Sequence, residues 1–395
     1  MKELKKITFI TVHTWQSKRL GGFHKFAEAS CENGIETVFF SFPRPYYALF
    51  MKDELYNKKT IKALQKGIDY NIGKSNLHNI TYVTCRLPNF FGKLLGDKMM
   101  NRLLCSSFSS FKKFARKWLD GTDIFVFESA DGIAFIDKLR KMYPDSKFVY
   151  RPSDVMMYDG SLPRFANLER NVLVKSDLAI FVHPGYEGFY SARVPDFYKN
   201  VKFVTISNGV DIEPFEQSYS VPAALQKENT ALYIGAWPVD WNLIFNSASK
   251  LPDFNFVIVC PNKPSKEILD KIPEYKNIEY IPGIMPNDIP QWMTNCDVFI
   301  VPYDKKVRTN RGLGVTAKYY QAMAAQRPIV AYNEIKAVGE VGIPLSYSEE
   351  EFITELKRVM GTAPHKYEYN LEERRWTYVK EQFIRTLQQL HHQQS

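Results

Sequence analysis

Apolar residues in this chain come in short, nearly unbroken runs separated by polar stretches. In the first half such runs, rich in β-branched and aromatic residues, occupy positions 6–13, 35–42, 123–128, 147–150, 177–183 and 201–207. Between them, residues 130–143, 163–175 and 186–193 carry apolar positions at helical spacing. Compact apolar runs bounded by turn residues predict strands buried on both faces, and their alternation with helical segments predicts a parallel sheet covered by helices. A polar, proline-containing stretch at 213–229 reads as a linker, after which the pattern restarts at 231–235, 255–260, 278–281 and 297–301. The prediction is an α/β chain with two Rossmann-like domains, residues 1–214 and 215–370. Residues 371–390 then read as one closing helix within a 371–395 tail. Two such domains predict a cleft between them, a preferred place for a small ligand.

Within the second domain, residues 301–330 predict strand end, basic glycine-containing loop, a helix over 318–325 and a further strand. That order puts a helix N-terminus and a loop at the carboxyl ends of parallel strands, where backbone N–H groups and the helix dipole suit an anion such as a pyrophosphate. In the first domain, the loop after the opening strand offers His13, Lys18 and Arg19. They read equally as substrate contacts and as a solvated loop with a capping histidine. No G-x-G-x-x-G follows that strand, which gives no support to a dinucleotide site.

Composition narrows the class. Of 395 residues, 45% are hydrophobic and 24% charged, as in a soluble globular protein. No run of eighteen apolar residues occurs, and the opening MKELKKITFITVH lacks a signal-peptide pattern. Five scattered cysteines without a C-x-x-C pair read as reduced cytoplasmic thiols, with no zinc site. The formal charge of +9 is uneven: residues 1–214 hold 32 Lys and Arg against 22 Asp and Glu, and residues 215–395 hold 20 against 21. Such asymmetry suggests an anionic partner for the first domain: nucleic acid, an anionic membrane surface or a phosphorylated substrate. Two segments there are both basic and greasy. Residues 44–66 carry six Lys/Arg among clustered Tyr and Phe, and residues 90–119 carry seven, with apolar positions at spacings of three and four. They read as amphipathic elements for an anionic membrane surface, or as core-facing helices with a lysine-rich wet face. Nucleic acid is disfavoured, because no recognised binding motif accompanies the charge.

Several stretches carry a resemblance. SNGVD (207–211) leading to YIGAW, and QAMAAQRPIV (321–330), resemble the domain junction and nucleotide-sugar motif of GT-B glycosyltransferases. The run FVFESADGIAFIDKLRKMYPDSKFVYRPSD (125–154) is similar almost position by position to the xanthan glucuronosyltransferases of glycosyltransferase family 70, as are the first loop, IGAWPVD (234–240), and Tyr303 with AKYYQ (317–321). The resemblance implies a GT-B fold whose C-terminal helix returns to the N-terminal domain. It also implies a metal-independent, cofactor-free, inverting transfer of glucuronate from UDP-glucuronate to a polyprenyl-pyrophosphate-linked oligosaccharide, in bacterial exopolysaccharide synthesis. The enzyme would be peripheral, on the cytoplasmic face of the cell membrane. The family's base falls on Asp154, and its donor contacts fall on Trp237, Asp240, Tyr303, Lys318 and Gln321. Trp237 stands where the family has methionine. The similar first loop puts His13, Arg19 and His24 on the acceptor.

The residues themselves fit this chemistry in part. Asp154, after Pro152 at a strand end, has the type for a base that takes the acceptor hydroxyl's proton, and equally for a helix N-cap; Asp159 and Glu128 are reserves. Lys318 at a helix start can neutralise the leaving UDP without a metal, and no D-x-D occurs. Gln321 lies one turn on, and Tyr303 and Trp237 can stack on uracil. Retaining GT-B enzymes place the second glutamate of E-x7-E where Gln321 stands, with Arg311 upstream, which argues for inversion. Arg308 and Arg311 suit a donor carboxylate, although loop 304–315 departs from the family. A UDP-hexose or GDP-mannose donor, or a non-catalytic membrane-associated binding protein, are the alternatives.

Overall fold

The computed structural model describes residues 3–17, 21–51, 57–304 and 314–393. The chain divides into two compact units, Met1–Asn208 with Thr377–Ser395, and Gly209–Trp376.

Unit 1 is built on an eight-stranded sheet. Its strands are β1 (Lys6–Thr11), β2 (Glu36–Ser41), β3 (Ile68–Ile72), β4 (Ser75–Ile80), β5 (Ile124–Glu128), β6 (Lys147–Arg151), β7 (Leu178–Phe181) and β8 (Phe203–Thr205), in the order β8-β7-β6-β5-β1-β2-β4-β3. All neighbours are parallel except the β3–β4 hairpin. The five residues of β5 are all buried, as its unbroken apolar run requires of a strand covered on both faces. The helices used below are α1 (Gly22–Glu32), α2 (Gly92–Leu104), α3 (Phe111–Trp118) and α4 (Pro163–Lys175).

Unit 2 has a six-stranded parallel sheet: β9 (Thr230–Ile234), β10 (Asn255–Val259), β11 (Ile278–Ile281), β12 (Val298–Pro302), β13 (Ile329–Tyr332) and β14 (Leu345–Ser346), in the order β11-β10-β9-β12-β13-β14. Helices α5 (Trp241–Lys250) and α6 (Ala317–Ala324) flank its site. The last helix, α7 (Trp376–His392), belongs to unit 1 from Thr377 on. Its Phe383 stacks on Phe26 of α1 at 4.2 Å, and Lys380 pairs with Glu28 at 2.7 Å.

Four expectations change. The 213–229 stretch is not a free linker: Val210, Ile212, Phe215 and Leu225 are buried in the unit 2 core, so the boundary falls at Gly209, ahead of 215. Residues 90–119 form two helices, because Gly96 at φ 70° kinks α2 and Cys105 to Ser110 separate it from α3. The 371–390 helix is a short 3-10 turn, Leu371–Arg374, followed by α7. The 130–143 segment likewise opens with a 3-10 turn, Asp131–Phe135.

Candidate active site

Both sheets reverse strand order once, at β1/β5 in unit 1 and at β9/β12 in unit 2. In doubly wound sheets ligands bind outside the carboxyl ends of the strands at such a point, because the loops diverge and leave a crevice there.

At the β1/β5 point of unit 1, Glu128 ends β5 and is 6% exposed. A buried carboxylate needs donors. Glu128 has three: the Thr11 hydroxyl at the end of β1, the Ser153 hydroxyl at 3.0 Å, and His13 Nε2 at 3.4 Å. Burial alone would raise the Glu128 pKa, but the His13, Thr11 and Ser153 contacts together outweigh it and hold it below the usual carboxylate value. The same hydrogen bond to Glu128 lifts the His13 pKa above its usual value, against burial and the positive charge of Arg44. His13 is thus held next to a carboxylate and half-open to solvent.

Asp154 lies two residues from Pro152 on the loop after β6, and it is exposed. Its backbone N–H donates to Ser129 Oγ at 3.1 Å, and Tyr186 Oη donates to the Ser153 carbonyl at 3.1 Å. The carboxylate therefore sits on a loop fixed at neighbouring atoms and open outward. The reserve Asp159 is exposed and 3.3 Å from Arg193. His24, expected on the acceptor, is 2% exposed. Its Nδ1 accepts from Gly21 N–H at 3.2 Å and its Nε2 donates to the Thr14 carbonyl at 2.9 Å, while burial lowers its pKa. It is a neutral imidazole that pins the first loop to α1, with both nitrogens occupied. Arg19 and Lys18 lie outside the described residues.

At the β9/β12 point of unit 2, the loops after the two strands are tied together. Asp240 N–H donates to the Pro302 carbonyl at 2.9 Å, and Asp304 N–H to the Pro238 carbonyl at 3.2 Å. The Asp240 carboxylate caps α5 through Leu243 N–H at 3.0 Å, which accounts for an aspartate there without a ligand. Tyr303, buried just past β12, accepts a 2.7 Å hydrogen bond from Lys318 Nζ. That ammonium lies 5.0 Å from the centres of both the Tyr233 and Tyr303 rings. Lys318 is the second residue of α6, whose N-cap Thr316 makes no side-chain capping hydrogen bond. A cation carried on the first turn of a helix suits an anion such as a pyrophosphate. Trp237 is part-exposed with its ring 5.6 Å from that of Tyr303, leaving an aromatic face at the rim. Gln321 is half-buried, one turn further along α6. Arg308 and Arg311 lie outside the described residues.

Three participants escaped the sequence reading. A side chain at Gly235 would crowd the site, because a Cβ would lie 2.5 Å from Tyr233 Oη and 2.7 Å from Lys318 Nζ. Tyr233 itself, on β9, reads only as core. Ser153 links the loop after β6 to Glu128. A glycine directly after an apolar run was the available signal for close approach. Among the described residues no group of three or more His, Cys, Asp or Glu is placed to hold a metal ion.

Comparison with known proteins agrees with this layout. Residues 9–182 match the family model of the glucuronosyltransferase GumK N-terminal domain, and residues 230–361 match that of glycosyl transferases group 1. No curated protein matches by sequence. Among solved structures, a sucrose-phosphate synthase from Thermosynechococcus elongatus aligns at 14% identity and a TM-score of 0.67, over 98% of this chain and 99% of that one. An α,α-trehalose-phosphate synthase (UDP-forming) from Burkholderia vietnamiensis aligns at 13% and 0.60, over 98% and 99%. The fold is that of the GT-B glycosyltransferases, and this protein is one of them. Its N-terminal half makes it, more closely, a GumK-like glycosyltransferase.

Proposed function

We propose that this protein is an inverting glycosyltransferase that moves glucuronate from UDP-glucuronate to a polyprenyl-pyrophosphate-linked oligosaccharide at the cytoplasmic face of the cell membrane. The observation that carries the reading is the exposed Asp154 carboxylate on a loop fixed by Ser129 and Tyr186, inside the segment that matches the GumK N-terminal domain. In this reading Asp154 accepts the proton of the acceptor hydroxyl as its oxygen attacks the anomeric carbon of the donor. The C–O bond to UDP breaks on the opposite face, and the configuration inverts. A positioned carboxylate in that role contributes roughly 10²–10⁴-fold. Charge that develops on the leaving diphosphate meets Lys318 and the first turn of α6, with Tyr303 holding the ammonium in place. Trp237, at the rim, offers its face to the base of the nucleotide, with the buried Tyr303 ring packed beside it.

The lipid side of the proposal has its own support. Phe50 is 85% exposed, Phe108 87% and Leu94 81%, with Met51, Phe90 and Met99 also outward. Tyr46 packs on Phe108 at 4.9 Å and its hydroxyl contacts Ser107 at 3.1 Å, which brings the 46–51 turn beside the 105–110 loop. Exposed apolar side chains on a basic stretch of chain suit a membrane interface. Among the described residues no helix is long and apolar enough to cross a membrane.

Transfer assays with UDP-glucuronate, UDP-glucose, UDP-galactose and GDP-mannose against a lipid-pyrophosphate oligosaccharide test the reading. We expect turnover with UDP-glucuronate and a loss of kcat of at least about 10²-fold in Asp154→Asn. Wild-type turnover by that variant removes Asp154 as the base. Turnover with a neutral hexose donor in preference removes the glucuronate assignment.

A further inference from the structure

The carboxylate of Glu169, in the middle of α4, is completely buried and has no part in the chemistry above. A glutamate is almost never fully buried without partners, since an unpaired charge inside a protein is very costly. Glu169 accepts four hydrogen bonds. Tyr150 of β6 and Tyr190 of the helix Gly185–Ser191 donate to Oε1, each at 2.7 Å. The backbone N–H groups of Met156 and Met157 donate to Oε2 at 2.8 and 2.7 Å. We propose that Glu169 is a positioning residue for the transfer reaction, setting the loop that presents Asp154. The inference rests on the reading of Asp154 as the base.

The geometry separates this role from ordinary core stability. Two of the four donors are main-chain groups of the base loop, one and two residues beyond Val155. The other end of the same loop is held by different elements: Ser153 Oγ on Glu128, Asp154 N–H on Ser129 and Tyr186 Oη on the Ser153 carbonyl. Asp154 is therefore suspended between two buried carboxylates, with its own side chain outside both. All partners of Glu169 are donors, so the ionised form fits the site. Burial pushes its pKa up, and the tyrosine and backbone donors oppose that rise. An apolar residue would fill α4 at lower cost but would leave two loop N–H groups without their acceptor. A general base must lie within about 2.6–3.2 Å of the proton it takes, and a shift of about 1 Å from afar costs on the order of 10²-fold.

The test uses the full chain, with transfer kinetics and amide hydrogen exchange measured on Glu169→Leu, Glu169→Gln, Glu169→Asp and Asp154→Asn. In Glu169→Leu the Met156 and Met157 amides should exchange faster, and kcat should fall about 10²-fold with the donor KM unchanged. Glu169→Gln should restore both. Its amide oxygen can take the two N–H groups while its NH2 donates to the tyrosine oxygens, which rotate to accept. Faster exchange in Glu169→Leu with wild-type kcat overturns the proposal, as does unchanged exchange at the two amides. If Glu169→Leu does not fold, Glu169→Asp decides, because its carboxylate stops one methylene short of the Met156 and Met157 amides. A drop in kcat of about 10-fold without a change in donor KM supports loop positioning, and wild-type kcat overturns it. An active Asp154→Asn instead refutes the base assignment, and exchange at Met156 and Met157 then still reads whether Glu169 holds the loop.

Discussion

His13 and Glu128 are distant in sequence and 3.4 Å apart in the fold, and each moves the other's titration in the direction that favours an ion pair. The consequence for stability has a definite sign. A raised folded-state pKa for His13 gives a contribution fully present below the unfolded value near 6.5 and lost as pH rises through the higher folded value. The lowered pKa of Glu128 gives one fully present above 4.5 and lost as pH falls through the lower folded value. The stability difference between wild type and His13→Gln should therefore be flat between about 4.5 and 6.5 and shrink on both sides. Denaturant titrations at stepped pH measure it, and a difference that grows above pH 6.5 contradicts the pairing. At this scale the sequence was legible where a residue closes or directly follows a strand, as Glu128 ends β5 and Tyr303 follows β12. It was illegible where burial decides the role. The resemblance puts His24 on the acceptor, and only the fold shows both its nitrogens engaged within the protein. Glu169 sits in a helical run with nothing local to announce the two tyrosines and two amides that converge on it.

At the scale of elements, the buried strands were the legible part. Their apolar runs are long and continuous, so β1, β2, β5 and β9 to β12 fall within a residue or two of the expected ranges. The β3–β4 hairpin was missed, since its residues alternate between exposed and buried faces and carry many polar side chains. The amphipathic period over 90–119 was real but concealed a break, because Gly96 and the serine-rich 105–110 turn interrupt the backbone without interrupting the apolar spacing. The approach of the β9 loop to α6 was equally hidden, and it is testable at Gly235. A Cβ there would displace Lys318 Nζ, the far end of a flexible side chain, and press on Tyr233 Oη, which is held by the Trp237 carbonyl at 3.1 Å. Gly235→Ala should therefore weaken nucleotide-sugar binding about 10-fold, the loss of one charge-assisted contact, and leave the protein folded. Calorimetric titration with the donor reads the first effect and circular dichroism the second. Unchanged affinity would detach Lys318 from the donor.

At the scale of the whole molecule, the uneven charge acquires a physical setting. The excess of positive residues lies entirely within 1–214, the same part that exposes Phe50, Phe108 and Leu94. Attraction and insertion make separable demands in a membrane reading. Basic residues near an anionic surface contribute about 1 kcal/mol each, screened within a Debye length of about 10 Å at 0.1 M salt. A phenylalanine that leaves water contributes about 1.5–3 kcal/mol and is indifferent to moderate salt. Sedimentation with vesicles containing a third phosphatidylserine should show binding that falls steeply between 50 and 300 mM salt, roughly as expected for several screened charges. The paired change Phe50→Ser with Phe108→Ser should weaken binding by about 10²-fold or more at every salt concentration while keeping the same salt slope. Replacing Lys112, Lys113 and Lys117 of α3 by glutamine should do the reverse, flattening the slope and leaving the residual high-salt affinity in place. Equal binding to uncharged vesicles would leave the charge asymmetry unexplained by lipid. Insensitivity to the two phenylalanines would restrict the interaction to electrostatic adsorption, which a free polyanion should then abolish.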